Sequence, residues 1–260
     1  MEEIDTSNIT WSISRISTWL ECPLKAKIRY IDKIKSTTPS EALEKGKKLH
    51  DYYDKFYDYF DNEIEEAEDK AVNNLKFDED FQNKYAIYAL NFREFVQINP
   101  QKPYLKEKRY FAVDEDGDNW VGIIDRVDKI NDNEVMIVDY KTSKGSLDAV
   151  SKEKRIMKVN GKIEIKKSDY LPQLLSYAKI FELSEEEKVK QVAIFFTANQ
   201  TDLSKKNITS EDIEKNWKEM VEKKRKVKEI MQGPYEPKLG SYCYWCEYRD
   251  MCPLKRGYSK

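Results

Sequence analysis

Residues 122–141 read GIIDRVDKINDNEVMIVDYK, and the fold turns on how this stretch divides. Two apolar runs, each carrying an aspartate, flank the polar triplet Asn131-Asp132-Asn133, a composition that marks a tight turn between two strands. Side chains alternate along a strand, so in 135–141 Asp139 and Lys141 share one face and Tyr140 points to the other. An acid and a base at the end of an apolar strand cost on the order of several kcal/mol per ion if they are buried without purpose. The turn pairs this strand with the run in which Asp125 follows Gly-Ile-Ile, and so can bring Asp125 close to Asp139. Two carboxylates with the Tyr140 backbone carbonyl beside them suit a hard divalent cation such as Mg²⁺ or Mn²⁺. Such an ion activates water and stabilises charge on a phosphate, and Lys141 would orient the water or neutralise that charge. Taken alone, Asp-x-Lys reads more simply as a cross-strand salt bridge. Asp125 in a paired strand is what favours the metal.

Outward from this stretch, residues 104–113 and 119–130 read as two extended runs joined by the turn cluster Asp114-Glu115-Asp116-Gly117-Asp118, which makes an antiparallel meander with 135–141. On the N-terminal side, 12–32 carries Ile13, Ile16, Leu20, Leu24 and Ile28 at close to helical spacing. A second helix is expected over 41–60, with Leu43, Leu49, Tyr53, Phe56 and Phe60 on one side, and a third over 79–97. The acidic segment 61–78 reads as a solvated face or loop. On the C-terminal side come a basic, irregular stretch at 144–167, where Val159-Asn160-Gly161-Lys162 could turn a small hairpin, and an amphipathic helix at 169–182. A buried strand at 191–198 and a charged helix at 209–231, ended by Gly233-Pro234, follow. The expectation is an α/β fold: a mixed central sheet flanked by helices, with a helical N-terminal part.

Lys and Arg number 46 against 48 Asp and Glu, for a net charge of −2, so any contact with a polyanion must come from local basic patches. No run of about 18 apolar residues could span a membrane. The opening MEEIDTSNIT lacks the basic-then-apolar order of a secretory signal, and a cytoplasmic location is expected, or the host-cell cytoplasm for a viral protein. In a reducing compartment Cys22, Cys243, Cys246 and Cys252 would not form disulfides. Four thiolates suit Zn²⁺ or an iron–sulfur cluster, and the residues alone do not separate the two. Proline after Cys22 and after Cys252, and the loose five-residue gap in Cys243-x₂-Cys246-x₅-Cys252, lean toward iron.

Gly-Ile-Ile-Asp-Arg-Val-Asp followed by Val-Asp-Tyr-Lys-Thr-Ser resembles the PD-(D/E)XK nuclease superfamily, most of all its RecB/AddB branch, which includes the RecB-like exonuclease of CRISPR systems. Gly46-Lys47-Lys48-Leu49-His50 is similar to that branch's G-x-x-x-H helix, and Gln173-Leu174-Leu175-Ser176-Tyr177 to its Q-x-x-x-Y motif. The resemblance spans about 22–253. It implies a restriction-endonuclease-like core and one RecB-like nuclease domain over 1–260: a helical part (1–100), a catalytic core (101–200), and a helix with a cysteine tail (201–260) closing onto Cys22. It further implies that His50, Asp125, Asp139 and the Tyr140 carbonyl bind Mg²⁺ or Mn²⁺, that Lys141 is catalytic, and that Gln173 and Tyr177 support the site and contact DNA. Some relatives carry an acid near Glu107, and a solvent-facing glutamate is the alternative there. One cysteine before the core and three after it are similar to the nucleases whose [4Fe–4S] cluster clasps the two ends of the domain.

The implied activity is metal-dependent DNA exonucleolysis in recombination, repair or replication, in a phage or as an accessory to CRISPR spacer capture. Single-stranded DNA ends would be the substrate, and oligomers are compatible with the sequence. Lys154, Arg155 and Lys158, in a basic run directly after the catalytic strand, form a phosphate track or else a solvated loop. Tyr242, Tyr244 and Trp245 pack around the cysteines or stack on bases. No Walker A motif is present, so a helicase or recombination motor would be a separate partner. Two other readings stay open: a nuclease-fold accessory subunit that binds DNA without cutting it, and a zinc-stapled interaction protein.

Overall fold

The computed structural model describes residues 4–36, 41–151, 154–159, 162–167, 170–240, 242–243 and 246–254. Five strands form one mixed sheet in the order β1-β2-β3-β6-β7. They are β1 (Leu105–Val113), β2 (Asn119–Lys129), β3 (Glu134–Lys141), β6 (Lys188–Phe196) and β7 (Ser204–Asn207). The antiparallel meander β1-β2-β3 holds as expected, with Val127↔Ile137 in register across the Asn131–Asn133 turn. β6 then runs parallel to β3. The parallel return needs a crossover, which helix α6 (Tyr170–Glu182) supplies. A separate antiparallel pair, β4 (Lys154–Val159) and β5 (Lys162–Lys167), occupies half of the stretch read as irregular. Val159 and Lys162 are partners in it, as a hairpin at that point requires. The side chains of these two strands, and residues Asn160 and Gly161, lie outside what the structure describes.

Strand alternation gives the sheet two apolar faces. Val135 and Ile137 pack with Leu174 and Ala178 of α6, Trp217 and Val221 of α7 (Ser210–Ile230), and Trp19 of α1 (Ile13–Glu21). Met136, Val138 and Tyr140 pack on the opposite side with Tyr53 and Phe56 of α3 (Glu41–Tyr59) and with Phe92 and Phe95 of α5 (Glu79–Ile98). Among the described residues no helix is long and apolar enough to cross a membrane.

Three local expectations change, and one strand forms where none was expected. The acidic segment 61–78 contains a helix, α4 (Ile64–Leu75). Ala67 and Ala71 are fully buried, with Ile64, Val72 and Leu75 beside them; Glu68 is buried too, where Tyr52 and Arg93 satisfy it, while Glu65 and Glu66 face water. The helix expected over 12–32 breaks at Cys22, whose backbone is extended because Pro23 follows; α2 (Pro23–Ala26) and a wide turn to Ile31 resume it. Leu43 is 63% exposed rather than on the buried side of α3. Ser-Lys-Lys-Asn of β7 carried no strand signal, yet it pairs with β6 as the sheet's polar edge.

Candidate active site

Three carboxylates fall in one row across three strands. Lys106↔Arg126 and Lys108↔Ile124 are Cα partners, which sets Glu107 opposite Asp125. The β2–β3 ladder ends at Arg126↔Val138, and one step further along the same register sets Asp125 opposite Asp139. Beyond that step the β1–β2 ribbon and β3 part company, and the Asp125 side chain bridges the fork: its Oδ2 accepts a hydrogen bond from the Tyr140 backbone N–H at 2.7 Å.

The backbone of β1 is bent to this purpose. Glu107 has φ of 41°, a left-handed value that a non-glycine residue holds only when its surroundings enforce it. Before this residue Lys106 reaches across to Asp54 and Asp58 of α3; after it Tyr110 enters the core under α6. The inverted alternation turns Glu107 toward α3, where His50 Nδ1 lies 3.5 Å from Glu107 Oε1 and 3.6 Å from Asp125 Oδ1. The ring of His50 is held by edge contact with the Tyr140 ring at 6.1 Å. Gly46, one turn earlier on α3, packs over Thr142, with Thr142 Oγ1 3.7 Å from where a Cβ would stand.

From the other side of the sheet, Asp139 and Lys141 project together toward α6. Lys141 Nζ is 2.7 Å from Asp139 Oδ2 and 3.4 Å from Gln173 Oε1, and Gln173 Nε2 donates to Tyr177 Oη at 3.0 Å. Gly122 lets α6 come this close: an added Cβ would stand 3.3 Å from Tyr177 Cδ1 and 3.4 Å from Ile180 Cδ1. The expected site residues His50, Asp125, Asp139, Tyr140, Lys141, Gln173 and Tyr177 thus converge at the fork, joined by Glu107.

Electrostatics match a site built for a cation. Burial pushes the Asp139 carboxyl up to about 6 against the pull of Lys141. Burial alone would lower the His50 imidazole, but Asp125 and Glu107, with Asp139 behind them, lift it to about 10. One ligand atom each from His50, Glu107 and Asp125 lies within 4.8 Å of the others. Glu107 Oε1 is buried and accepts no hydrogen bond among the described residues, an acceptor that a cation would satisfy. Carboxylate oxygens with one imidazole fit Mg²⁺ or Mn²⁺.

Among the described residues Asp114, Asp116 and Asp118 form the other close acidic group, and it is filled from within. The buried Lys224 ammonium lies 2.5 Å from Asp118 Oδ2 and 2.9 Å from Asp116 Oδ2, and it also pairs with Asp114. It ties α7 to the tip of the β1–β2 ribbon. Asp128, the last residue of the Gly-Ile-Ile-Asp-Arg-Val-Asp run, serves the fold in the same way: it holds the buried Arg126, whose guanidinium also reaches Tyr57 and the Gln101 carbonyl. An Arg-x-Asp pair on one strand face was the available signal for it.

The four cysteines sit apart from this centre and line a single cavity of about 40 Å³. Burial raises the Cys246 thiol. The tail is tied to the N-terminal helices by the Arg29–Glu247 ion pair, by Tyr248 Oη donating to the Ile34 carbonyl at 2.9 Å, and by Lys238 Nζ donating to the Leu20 carbonyl at 3.2 Å. Tyr244, Trp245 and the side chains of Lys154, Arg155 and Lys158 lie outside the described residues.

Against known proteins, the family model of the PD-(D/E)XK nuclease superfamily matches residues 10–253. No curated protein matches the chain in sequence. A solved structure described as "Putative exonuclease" from Eubacterium rectale is 14% identical, covers 95% of this chain and 94% of its own, and superposes with a TM-score of 0.57, a likeness of fold. The structure of SSO0001 aligns over 97% of this chain and 89% of its own at 12% identity, with a TM-score of 0.43.

Proposed function

The chain belongs to the PD-(D/E)XK nuclease superfamily, and on that premise we propose that it is a divalent-metal-dependent DNA exonuclease whose hydrolytic centre is the fork between β2 and β3. The observation that carries the proposal is the row Glu107–Asp125–Asp139, with His50 on one side and Lys141 on the other.

His50, Glu107, Asp125 and Asp139 would hold the cation together with the Tyr140 carbonyl. When bound, the ion supplies Lewis-acid stabilisation of the phosphate and lowers the pKa of water. Asp125 has a second task, because its bond to Tyr140 N–H keeps the fork at a fixed opening. Lys141 stays protonated: burial lowers its pKa, and Asp139 and Asp125 more than restore it. Its ammonium can therefore neutralise charge that develops on the phosphate oxygens. Gln173 orients Lys141 from α6, and Tyr177 orients Gln173. Recombination, repair or replication is the setting we propose, with DNA ends as substrate.

We further propose that Cys22, Cys243, Cys246 and Cys252 hold a [4Fe–4S] cluster that staples the tail to α1 and α2. The presence of all four cysteines in the lining of one cavity supports this. The cluster lies away from the hydrolytic fork and would act on stability alone.

The experiment is degradation of end-labelled DNA with Mn²⁺, with and without EDTA, by the wild type and by Lys141→Ala. Metal-dependent cleavage lost in the variant supports the assignment; equal cleavage by both proteins overturns it.

A further inference from the structure

One face of the β1–β2 ribbon is open. Beyond the fork, Tyr110, Ala112, Trp120 and Ile124 turn into the core under α6 and α7. The alternate residues turn the other way: Arg109 is exposed, Phe111 is 62% exposed and Ile123 43%. They stand in rows, Arg109 beside Ile123 and Phe111 beside Val121. In the same register the preceding row is Glu107 with Asp125. The open face thus begins at the proposed metal ligands and runs directly away from them, each row about 7 Å from the last.

Two features set this face apart from ordinary surface. Phe111, Val113 and Ile123 are exposed together on neighbouring rows of it, an apolar strip in line with the carboxylates. Arg109 also makes no ion pair among the described residues, whereas its neighbours are committed: Lys106 to Asp54 and Asp58, Lys108 to Glu185. Asp114, Asp116 and Asp118 at the ribbon's tip are paired with Lys224, Arg225 and Lys228, which reduces the repulsion they would exert on a polyanion.

We propose that this face is the platform along which a single-stranded segment of DNA enters the site, with Arg109 on a backbone phosphate and Phe111 stacked on an unpaired base. This rests on the nuclease reading above. An exposed ring can stack only on a base that presents its π-face, which a duplex interior does not. A guanidinium free of protein carboxylates can take a phosphate in bidentate fashion. The spacing agrees: Arg109 is one row and Phe111 two rows from the carboxylates, so phosphate and base contacts follow the scissile position in sequence.

The test uses the full-length protein in a Lys141→Ala background, which blocks turnover, and a fluorescein-labelled oligothymidine of roughly 20 nucleotides. Fluorescence anisotropy should show Phe111→Ala and Arg109→Ala each raising Kd roughly tenfold, with Phe111→Trp restoring binding. A blunt duplex should be little affected. Unchanged affinity for the single strand in both alanine variants overturns the proposal. So does a patch whose loss alters only self-association or capture of a protein, since that assigns the face to protein contact. Cleavage by the wild type combined with normal binding by the variants removes the platform alone. Loss of binding by the variants, with no cleavage by the wild type in Mn²⁺, removes the nuclease reading and leaves the platform standing.

Discussion

Asp125 Oδ2 accepts the backbone N–H of Tyr140 at 2.7 Å, one step beyond the last paired residues of β2 and β3. A side chain takes over the task of a ladder hydrogen bond at the point where the two strands separate. The separation opens room between carboxylates that would otherwise be adjacent cross-strand neighbours. It also leaves the second oxygen of Asp125 turned toward His50 at 3.6 Å. One residue thus sets the width of the fork and offers a ligand inside it.

His50 and Glu107 should be tested as ligands rather than as general supports. Replacing either with alanine is expected to weaken Mn²⁺ binding at least roughly tenfold, since even partners outside the ligand shell cost that much. Calorimetric titration of Mn²⁺ into the wild type and the two variants measures it. Unchanged affinity in His50→Ala would remove the helix from the metal site.

Gly122 positions chemistry without touching it. Valine there would drive its side chain into the Tyr177 and Ile180 positions, which already leave only 3.3–3.4 Å for a Cβ. Gly122→Val is expected to lower kcat by roughly tenfold or more through displaced Gln173 and Lys141, and to leave Mn²⁺ affinity near the wild-type value. Gly122→Ala should be much milder. A kinetic comparison with calorimetry on the same proteins separates the two effects.

The Lys224 cluster predicts an acid-sensitive anchor. Burial raises the Asp118 carboxyl, but Lys224 and Lys228 outweigh it and hold the group below the usual carboxylate range. Asp116 is depressed as well, by Arg225 and Lys224. A depressed folded pKa gives stability that is present above the unfolded value of about 3.9 and is lost as pH falls through the folded value. Lys224→Met leaves Asp114 and Asp118 buried beside no ammonium at that position and should cost on the order of 3 kcal/mol at neutral pH. Its denaturation midpoint should also change less between pH 7 and pH 3 than that of the wild type.

The cysteine cavity carries its own forecast. Anaerobically prepared protein should contain about four iron atoms per chain, and Cys22→Ala should lose them together with several degrees of melting temperature. Cleavage per folded molecule at low temperature should persist. Stoichiometric zinc in a colourless protein would replace the cluster with a single tetrahedral ion.

Much of this was legible in the chain because it depended on local periodicity. The alternation of 135–141 placed Asp139 and Lys141 together, and the short Asn131–Asn133 turn set the register that aligned Asp125 with them. The i, i+4 spacing of Gln173 and Tyr177 put both on one helix face. Glu107 was different. Its approach to His50 depends on an inverted alternation at a positive φ, which no residue-type signal announces. The helix over Ile64–Leu75 was hidden because alanine, a weak hydrophobe, forms its buried stripe. Lys224 was hidden for another reason: a charged residue reads as surface until the partners that satisfy it, far away in sequence, are in place.

The most direct measurement is a time course of end-labelled single-stranded DNA with Mn²⁺, run in parallel for the wild type, Asp125→Asn and Lys141→Ala. Wild-type protein should shorten the strand and stop when EDTA is added, and both variants should be slower by roughly 100-fold or more. Degradation that proceeds equally in all three proteins, or equally with and without EDTA, would contradict a hydrolytic centre at Asp125, Asp139 and Lys141.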